Sequence, residues 1–464
     1  MIQMRQALLI IAALLSLHAM AQRKPNIVYI LADDMGWKDA GFMGSDLYET
    51  PNLDALAKQG MVFTNAYAGA GNCAPSRACF VSGQYTPRHG VYAVGNTKRG
   101  PVPKMRLEPI PNSEQLAPSV YTIAEALRDA GYKTAIFGKW HLGRVAGTLP
   151  KDQGFDVDGS FDPPKEEDFI KTNDPKGIYH ITDEACKFME ENKNRPFFIY
   201  VSHHATHMSI QARQEMLVKF QGKEGKLHKN TRFAAMNAHL DDGVGILLKK
   251  IKELGLEENT LVVFTSDNGG LPQSPQHPLR GYKGMYYEGG IRVPFIARWP
   301  GVIKPGTKQE IPIINVDMFP TFLELAGGKL PSDKVLDGKS IVSLFQGKSD
   351  LAERPILWHL PGYLDKPNPG SRDKVFRSRP VSTIRKGDWK LLLYHEEWVL
   401  DGGKEKLPNN NAVELYNLKE DISEKKNLAA SHPQKRDEML NELLKLMKET
   451  GATMPTERNP QYKE

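Results

Sequence analysis

Three uninterrupted apolar runs constrain the fold most: Asn26–Ala32, 196–202 and Thr260–Ser266. A strand covered on one face alternates apolar with polar residues. A run that is apolar at nearly every position has both faces covered, the mark of a strand inside a parallel sheet. The run 133–137 adds a fourth strand. Helices fall between the strands. Over 232–254, Ala234, Ala235, Ala238, Leu240, Val244, Leu247, Leu248 and Ile251 recur at roughly helical spacing. Pro51 suits the first position of a helix over 50–57, and Gly131 closes a short one over 122–130. Val316 to Leu323 carries a further helix start. The chain therefore reads as α/β, with a large, mostly parallel central sheet sandwiched by helices.

From about residue 357 the pattern changes. A Pro/Gly-rich loop opens there, a turn joins alternating segments over 382–394, and 414–418 is a further strand. The stretch 434–450 is amphipathic, with Met439, Leu440, Leu443, Leu444 and Met447 on one side. These features predict a small C-terminal antiparallel sheet closed by a helix. The expected division is a leader over 1–21, a large α/β domain over 22–356 and a C-terminal α+β subdomain over 357–464.

The leader reading rests on Arg5, the short apolar stretch 7–17 and Ala19-Met20-Ala21, which suits cleavage by a signal peptidase. Mature protein then begins at Gln22, secreted or periplasmic, with no stable membrane insertion. The net charge of +6, from 61 basic and 55 acidic residues, is spread without a Lys/Arg block, so a nucleic-acid arm is not indicated. Three cysteines are too few for a disulfide scaffold. Pairing of Cys79 with Cys186 and free buried thiols both remain open.

Two strands end in acid or amide pairs: Asp33-Asp34 after the first, Asp267-Asn268 after the run at 260. Ligands of open α/β sheets bind at the strands' carboxyl ends. Hard oxygen donors suit Ca²⁺ or Mg²⁺. The strand at 133 ends in Gly138-Lys139-Trp140-His141-Leu142-Gly143, which in extended chain puts a cation and a proton-transfer group on one side. The strand at 196 runs into His203-His204-Ala205-Thr206-His207. Three close histidines can hold a transition metal, but the other candidate ligands are hard oxygens. Asp241-Asp242 on the long helix read as a surface or supporting pair.

A last stretch joins these: Cys73-Ala74-Pro75-Ser76-Arg77, followed by Gly83. Pro75 suits a first helical turn and Gly83 a helix end, so Cys73 sits at a helix N-terminus, where backbone N–H groups favour an anion. A cysteine beside a proline is, taken alone, a packing residue. The full pattern Cys-x-Pro-Ser-Arg-x-x-x-x-x-Gly resembles the signature of the type I, formylglycine-dependent sulfatases of the alkaline phosphatase superfamily. One departure is Val81-Ser82-Gly83, where many members have Leu-Thr-Gly. The Gly-Lys-Trp-His-Leu-Gly block and Pro278 to Phe295 resemble the same family, in the branch of arylsulfatase A-like and N-acetylgalactosamine-sulfatase-like enzymes. The likeness covers nearly all of the mature chain.

The resemblance implies an alkaline phosphatase-like fold and a hydrolase of sulfate esters. It makes Cys73 the precursor of formylglycine (3-oxoalanine), whose hydrate is the nucleophile, and gives Arg77 the task of holding it. It assigns Ca²⁺, with Mg²⁺ less favoured, to Asp33, Asp34, Asp267, Asn268 and the modified Cys73. Lys139 and Lys283 would contact the sulfate. His207 is our choice for the acid that protonates the leaving oxygen, and His141 for the base that releases sulfate from the modified residue. His204, Arg280 and His359 are candidate substrate contacts, with Arg280, Arg292 and His359 equally readable as structural and His203 read as structural. The implied partners are a sulfated saccharide, galactose or N-acetylgalactosamine sulfate favoured, and a maturation enzyme acting on Cys73 before folding. Specificity is expected in the loops 97–117, 145–176 and 358–381. Two other readings keep the fold. One is a phosphodiester or phosphonate monoester hydrolase, separable by parallel assays on aryl sulfate and aryl phosphate. The other is a non-catalytic binder of sulfated glycans, which would retain glycan and release no sulfate.

Overall fold

The computed structural model describes residues 24–163 and 170–463. The expected leader and its cleavage at Ala21, with part of the 145–176 loop, lie outside the described residues. Eight strands form the central sheet: β1 (Asn26–Ala32), β2 (Met61–Phe63), β3 (Lys133–Gly138), β4 (Val157–Ser160), β5 (Phe197–Ser202), β6 (Thr260–Ser266), β7 (Phe295–Arg298) and β8 (Thr307–Gln309). Their spatial order is β8-β2-β7-β6-β1-β5-β3-β4. The five central and right-hand strands β6, β1, β5, β3 and β4 run parallel, and β7 is antiparallel to both neighbours. All four strands expected from the apolar runs are present, with β1 between β5 and β6.

Every residue of β1, β5 and β6 is buried. The reason is a helical layer on each face. Successive side chains of a strand point to opposite faces. Val28, Ile30 and Ala32 join one apolar cluster, with α1 (Pro51–Gln59), α4 (Ile178–Asn192) and α5 (Thr231–Glu253). Ile27, Tyr29 and Leu31 join the other, with α2 (Cys73–Ser82), α3 (Ile123–Asp129) and α6 (Met318–Ala326). There Tyr29 stacks on Phe80 at 4.2 Å, which seats α2 against the middle of β1. Each such apolar side chain contributes about 1.5–3 kcal/mol on burial.

Asp241 on α5 accepts the backbone N–H groups of Asn52 and Leu53, at 3.0 and 2.8 Å. It therefore caps α1, a role the sequence did not show. Among the described residues no helix is long and apolar enough to cross a membrane.

The C-terminal unit is a four-stranded antiparallel sheet, β9 (Ile356–Leu360), β10 (Val381–Lys386), β11 (Trp389–Tyr394) and β12 (Val413–Asn417), backed by α7 (Pro433–Thr450). Its apolar face shares one cluster with Met285, Tyr286, Tyr287 and Ile291. This subdomain thus packs on the loop that follows Lys283. All three cysteines are free, so Cys79 and Cys186 do not pair; Cys79 Sγ lies 3.5 Å from His89 Nε2.

Candidate active site

The carboxyl ends of β1, β3, β5 and β6 meet the N-terminus of α2 at one place. Backbone bonds lock these ends together: Asp33 donates its N–H to the Ala205 carbonyl at 2.8 Å, and Asp267 donates to Ala32 at 3.1 Å. Cys73 is the first residue of α2, after Asn72 at the cap. Gly83 ends the helix with φ +68° and donates to the Cys79 carbonyl.

Cys73 Sγ lies 4.0 Å from Asp34 Oδ1. Asp33, Asp34 and Cys73 form the only group of three candidate metal ligands among the described residues, with donor atoms all within 4.8 Å of one another. Two adjacent carboxylates require positive neighbours, and both have them. Lys139 Nζ is 2.5 Å from Asp33 Oδ2, and Lys283 Nζ is 2.7 Å from Asp34 Oδ2. Burial alone would raise the Asp33 carboxyl; Lys139, His207, Arg77 and Lys283 outweigh it and hold it well below the usual range. Burial likewise opposes both ammoniums, but the facing carboxylates hold Lys139 and Lys283 above theirs.

Asp267 completes the group. Its Oδ1 accepts the N–H of Asp34 at 3.1 Å, and its Oδ2 accepts Nε and Nη2 of Arg77 at 2.9 and 2.8 Å. Burial and the Asp33 charge push the Asp267 carboxyl up to about 7, against the pull of Arg77. Asn268 donates its amide to Asp34 Oδ1 at 2.8 Å. Two oxygens here are buried without a hydrogen-bond partner: Asp33 Oδ1 and Asn268 Oδ1. Unpaired buried oxygens are costly. Together with Asp34 and Asp267 they make an all-oxygen donor set that fits a hard divalent cation. Asp33, Asp34, Asp267 and Asn268 would hold such an ion, whose charge would offset the carboxylates that Lys139 and Lys283 now face.

The Cys73 thiol is 1% exposed, and burial pushes it up to about 12, with Lys139 and Lys283 opposing. As a thiol it is neutral and a poor nucleophile. His141 is pushed down to about 2 by burial, Lys139 and Arg77; it is neutral at physiological pH, and its buried Nδ1 has no partner. His207 Nε2 is 3.7 Å from Asp34 Oδ2, and its side chain is 40% exposed, so it alone of the three neighbouring histidines both faces the cluster and reaches solvent. His203 is fully buried with both ring nitrogens unpartnered. His204 Nε2 lies 2.8 Å from the Phe161 carbonyl. No three-histidine metal site forms among the described residues.

Three candidate site residues are engaged elsewhere. Among the described residues Arg77 makes no hydrogen bond to the unmodified Cys73. Its guanidinium is spent on Asp267, on the Lys139 carbonyl at 2.8 Å and on Ser202 Oγ at 2.5 Å, so it fastens three strand ends beneath the helix. Arg280 stacks on Tyr287 and donates to Gly370, Tyr416 and Glu424, contacts that fit the loop-anchor reading. His359 is fully buried in β9 and pairs with Ser382 at 2.8 Å, out of reach of a substrate. Arg292 likewise anchors, through Thr64, Asn65 and Glu288.

The sequence reading missed the supports. Ser202 and Ser266 bridge strand ends, and buried Asp39, with Ser274 and Gln276, braces the turn after Asp34. It also missed Lys390, fully buried in β11 between Glu288 and Glu424 at 3.0 and 2.8 Å. A lysine leading Leu391-Leu392-Leu393 was the available signal. A cavity of about 600 Å³ opens beside His141, lined by Glu114, Gln115, Trp140, Arg144 and Phe161 among others. It is bounded by two of the loops expected to set specificity.

Paired carboxylates at parallel strand ends, three buried cations and a helix-terminal Cys on an alkaline phosphatase-like sheet make a site suited to a divalent cation and an anionic ester. Residues 25–328 match the sulfatase family model, and 281–452 match the model of the N-sulphoglucosamine sulphohydrolase C-terminal region. The chain belongs to the sulfatase family and is an enzyme that hydrolyses sulfate esters. It is 34% identical to a sulfatase of Formosa agariphila, over 89% of this chain and 86% of that one. It is 35% identical to N-acetylgalactosamine-6-sulfatase of Mus musculus, over 76% and 72%. Among solved structures, Ps i-CgsB in complex with k-i-k-neocarrahexaose superposes with a TM-score of 0.74 at 28% identity, covering 94% and 95%.

Proposed function

We propose that this enzyme removes sulfate from a sulfated carbohydrate, with galactose or N-acetylgalactosamine sulfate favoured, through a formylglycine made from Cys73. The observation that carries the reading is Cys73 itself: first residue of a helix, 4.0 Å from Asp34, flanked by buried Lys139 and Lys283. A thiol held neutral here has no use as a nucleophile. Its burial also argues that a maturation enzyme converts it before the chain folds. The named relatives, and the cavity beside His141, whose size suits a saccharide unit, support the substrate class. The apolar N-terminal run supports a secreted or periplasmic location after removal of residues 1–21.

Asp33, Asp34, Asp267 and Asn268 would hold Ca²⁺. The loaded site would supply an aldehyde hydrate as nucleophile and a divalent charge for the sulfate oxygens. The chain's own residues do the rest. Lys139 and Lys283 neutralise the sulfate, whose negative charge otherwise repels any incoming oxygen. His207, at the solvent edge, gives a proton to the departing sugar oxygen, because an alkoxide leaves poorly. His141, neutral and with its Nδ1 unpartnered, is our choice for the base, its proton affinity rising once the bound sulfate offsets Lys139 and Arg77. Arg77 holds Asp267 in place and opposes the rise of its carboxyl.

The test uses protein co-expressed with a formylglycine-forming enzyme. A hydrazide probe should capture an aldehyde on the peptide containing residue 73, and sulfate should be released from N-acetylgalactosamine or galactose sulfate faster than phosphate from the matching phosphate ester. Cys73→Ala should lose both signals. Turnover retained in that variant rejects covalent catalysis at this position.

A further inference from the structure

The three cations around the nucleophile are each matched by a carboxylate: Arg77 by Asp267, Lys139 by Asp33 and Lys283 by Asp34. Arg377, on the 358–381 segment, is not. Its Nη1 is 3.5 Å from the carbonyl oxygen of Lys283, and its Nε is 3.2 Å from that of Lys366. Among the described residues no carboxylate lies within 4.0 Å of it. The surrounding arginines do have such partners: Arg99 with Asp365 at 2.8 Å, Arg372 with Glu397 at 3.2 Å and Arg379 with Asp373 at 2.6 Å.

The side chain is fixed. Its Cδ packs on Gly284, where a Cβ would come within 2.5 Å of it. Gly284 is itself pinned, with φ +87°, donating to the Gly71 carbonyl and accepting from Ser378 Oγ, each at 2.6 Å. Burial and the like charge of Arg99 push the guanidinium below its usual range, and Asp365 and Asp34 offset this only in part. The result is an under-neutralised, immobilised fork one residue from the lysine that meets the sulfate. Such a fork matches an oxyanion bidentately.

We propose that Arg377 is a specificity-determining residue that binds a second anionic group of the saccharide, a carboxylate or a further sulfate, beside the sulfate held at Lys283. This rests on the carbohydrate reading above. The test compares wild type, Arg377→Gln and Arg377→Lys on three substrates: N-acetylgalactosamine monosulfate, its disulfate, and the monosulfated sugar joined to a uronic acid. Wild type should prefer one doubly anionic substrate by about tenfold or more in kcat/KM, as expected for a charged hydrogen-bonded pair. The preferred arm tells carboxylate from sulfate. Arg377→Gln should erase the preference mainly through KM, and Arg377→Lys should keep part of it. Absence of preference in wild type overturns the assignment without any variant having to fold. An equal loss by Arg377→Gln on all three substrates overturns it too, since that marks a contact with the scissile sulfate or a structural role. Release from an aryl sulfate but from none of the saccharides would instead sink the carbohydrate reading, and this assignment with it.

Discussion

Replacing Lys390 by Met removes the one cation lying between Glu288 and Glu424, all three side chains being fully buried. Glu288 keeps Arg292 at 3.2 Å and the Tyr67 hydroxyl at 2.6 Å, so it stays compensated. Glu424 loses its ammonium. Burial already pushes its carboxyl up to about 7, with Lys390 pulling the other way and Glu288 adding to the rise. Without Lys390 it rises further, and Glu424 takes a proton rather than remaining a bare buried charge. Breaking a buried pair costs about 3–5 kcal/mol when the orphan charge persists. Protonation caps that cost at low pH, and each pH unit between the wild-type value of about 7 and the higher one of the variant adds about 1.4 kcal/mol. The loss should therefore be small at pH 6 and larger by about 1.4 kcal/mol at pH 8, one unit above the wild-type value of about 7. Urea unfolding followed by tryptophan fluorescence at both pH values measures it. Adding Glu424→Gln should recover most of the loss at pH 8, because a neutral amide oxygen can still accept the Glu288 N–H, now 2.7 Å from Glu424. The loop carrying Lys283 ends at Glu288, so sulfate turnover should fall in Lys390→Met before global unfolding does. Equal destabilisation at pH 6 and pH 8, or none at either, refutes this account of the cluster.

Chelation of the purified enzyme by EGTA should abolish sulfate release, with Ca²⁺ restoring it; full activity in chelator would remove the assignment of Asp33, Asp34, Asp267 and Asn268. Asp241→Ala leaves the N–H groups of Asn52 and Leu53 without their acceptor and should cost about 1–3 kcal/mol in unfolding with kcat unchanged; a kcat loss at full stability would contradict its capping role. Stability should fall on acidification below pH 6.5. Burial pushes His89 and His203 down to about 3 and His359 to about 4, so the unfolded chain binds protons there that the native one refuses. Each such group contributes about 1.4 kcal/mol per pH unit, and His203→Leu should flatten the slope of unfolding free energy against pH by one proton; an unchanged slope would count against it.

What the sequence determined by itself is local and compositional. The apolar runs at 26 and 260 could only be strands covered on both faces, and the acid and amide pairs at their ends had to meet at the sheet's carboxyl edge. Cys73 to Gly83 had its helix, its start and its stop written in Pro75 and Gly83. Tertiary structure alone decided which charges meet. Arg77 sits four residues after Cys73, yet its guanidinium reaches Asp267, because the Tyr29–Phe80 stack sets α2 across β1. Lys283 finds Asp34, Lys390 finds Glu288, and Arg377 comes to rest on Gly284, each across a span of sequence that carries no trace of the contact. A residue's type and its neighbours along the chain fix which element it joins. The partner of a buried charge depends on how strands order and layers pack, and those are choices made by the whole core at once.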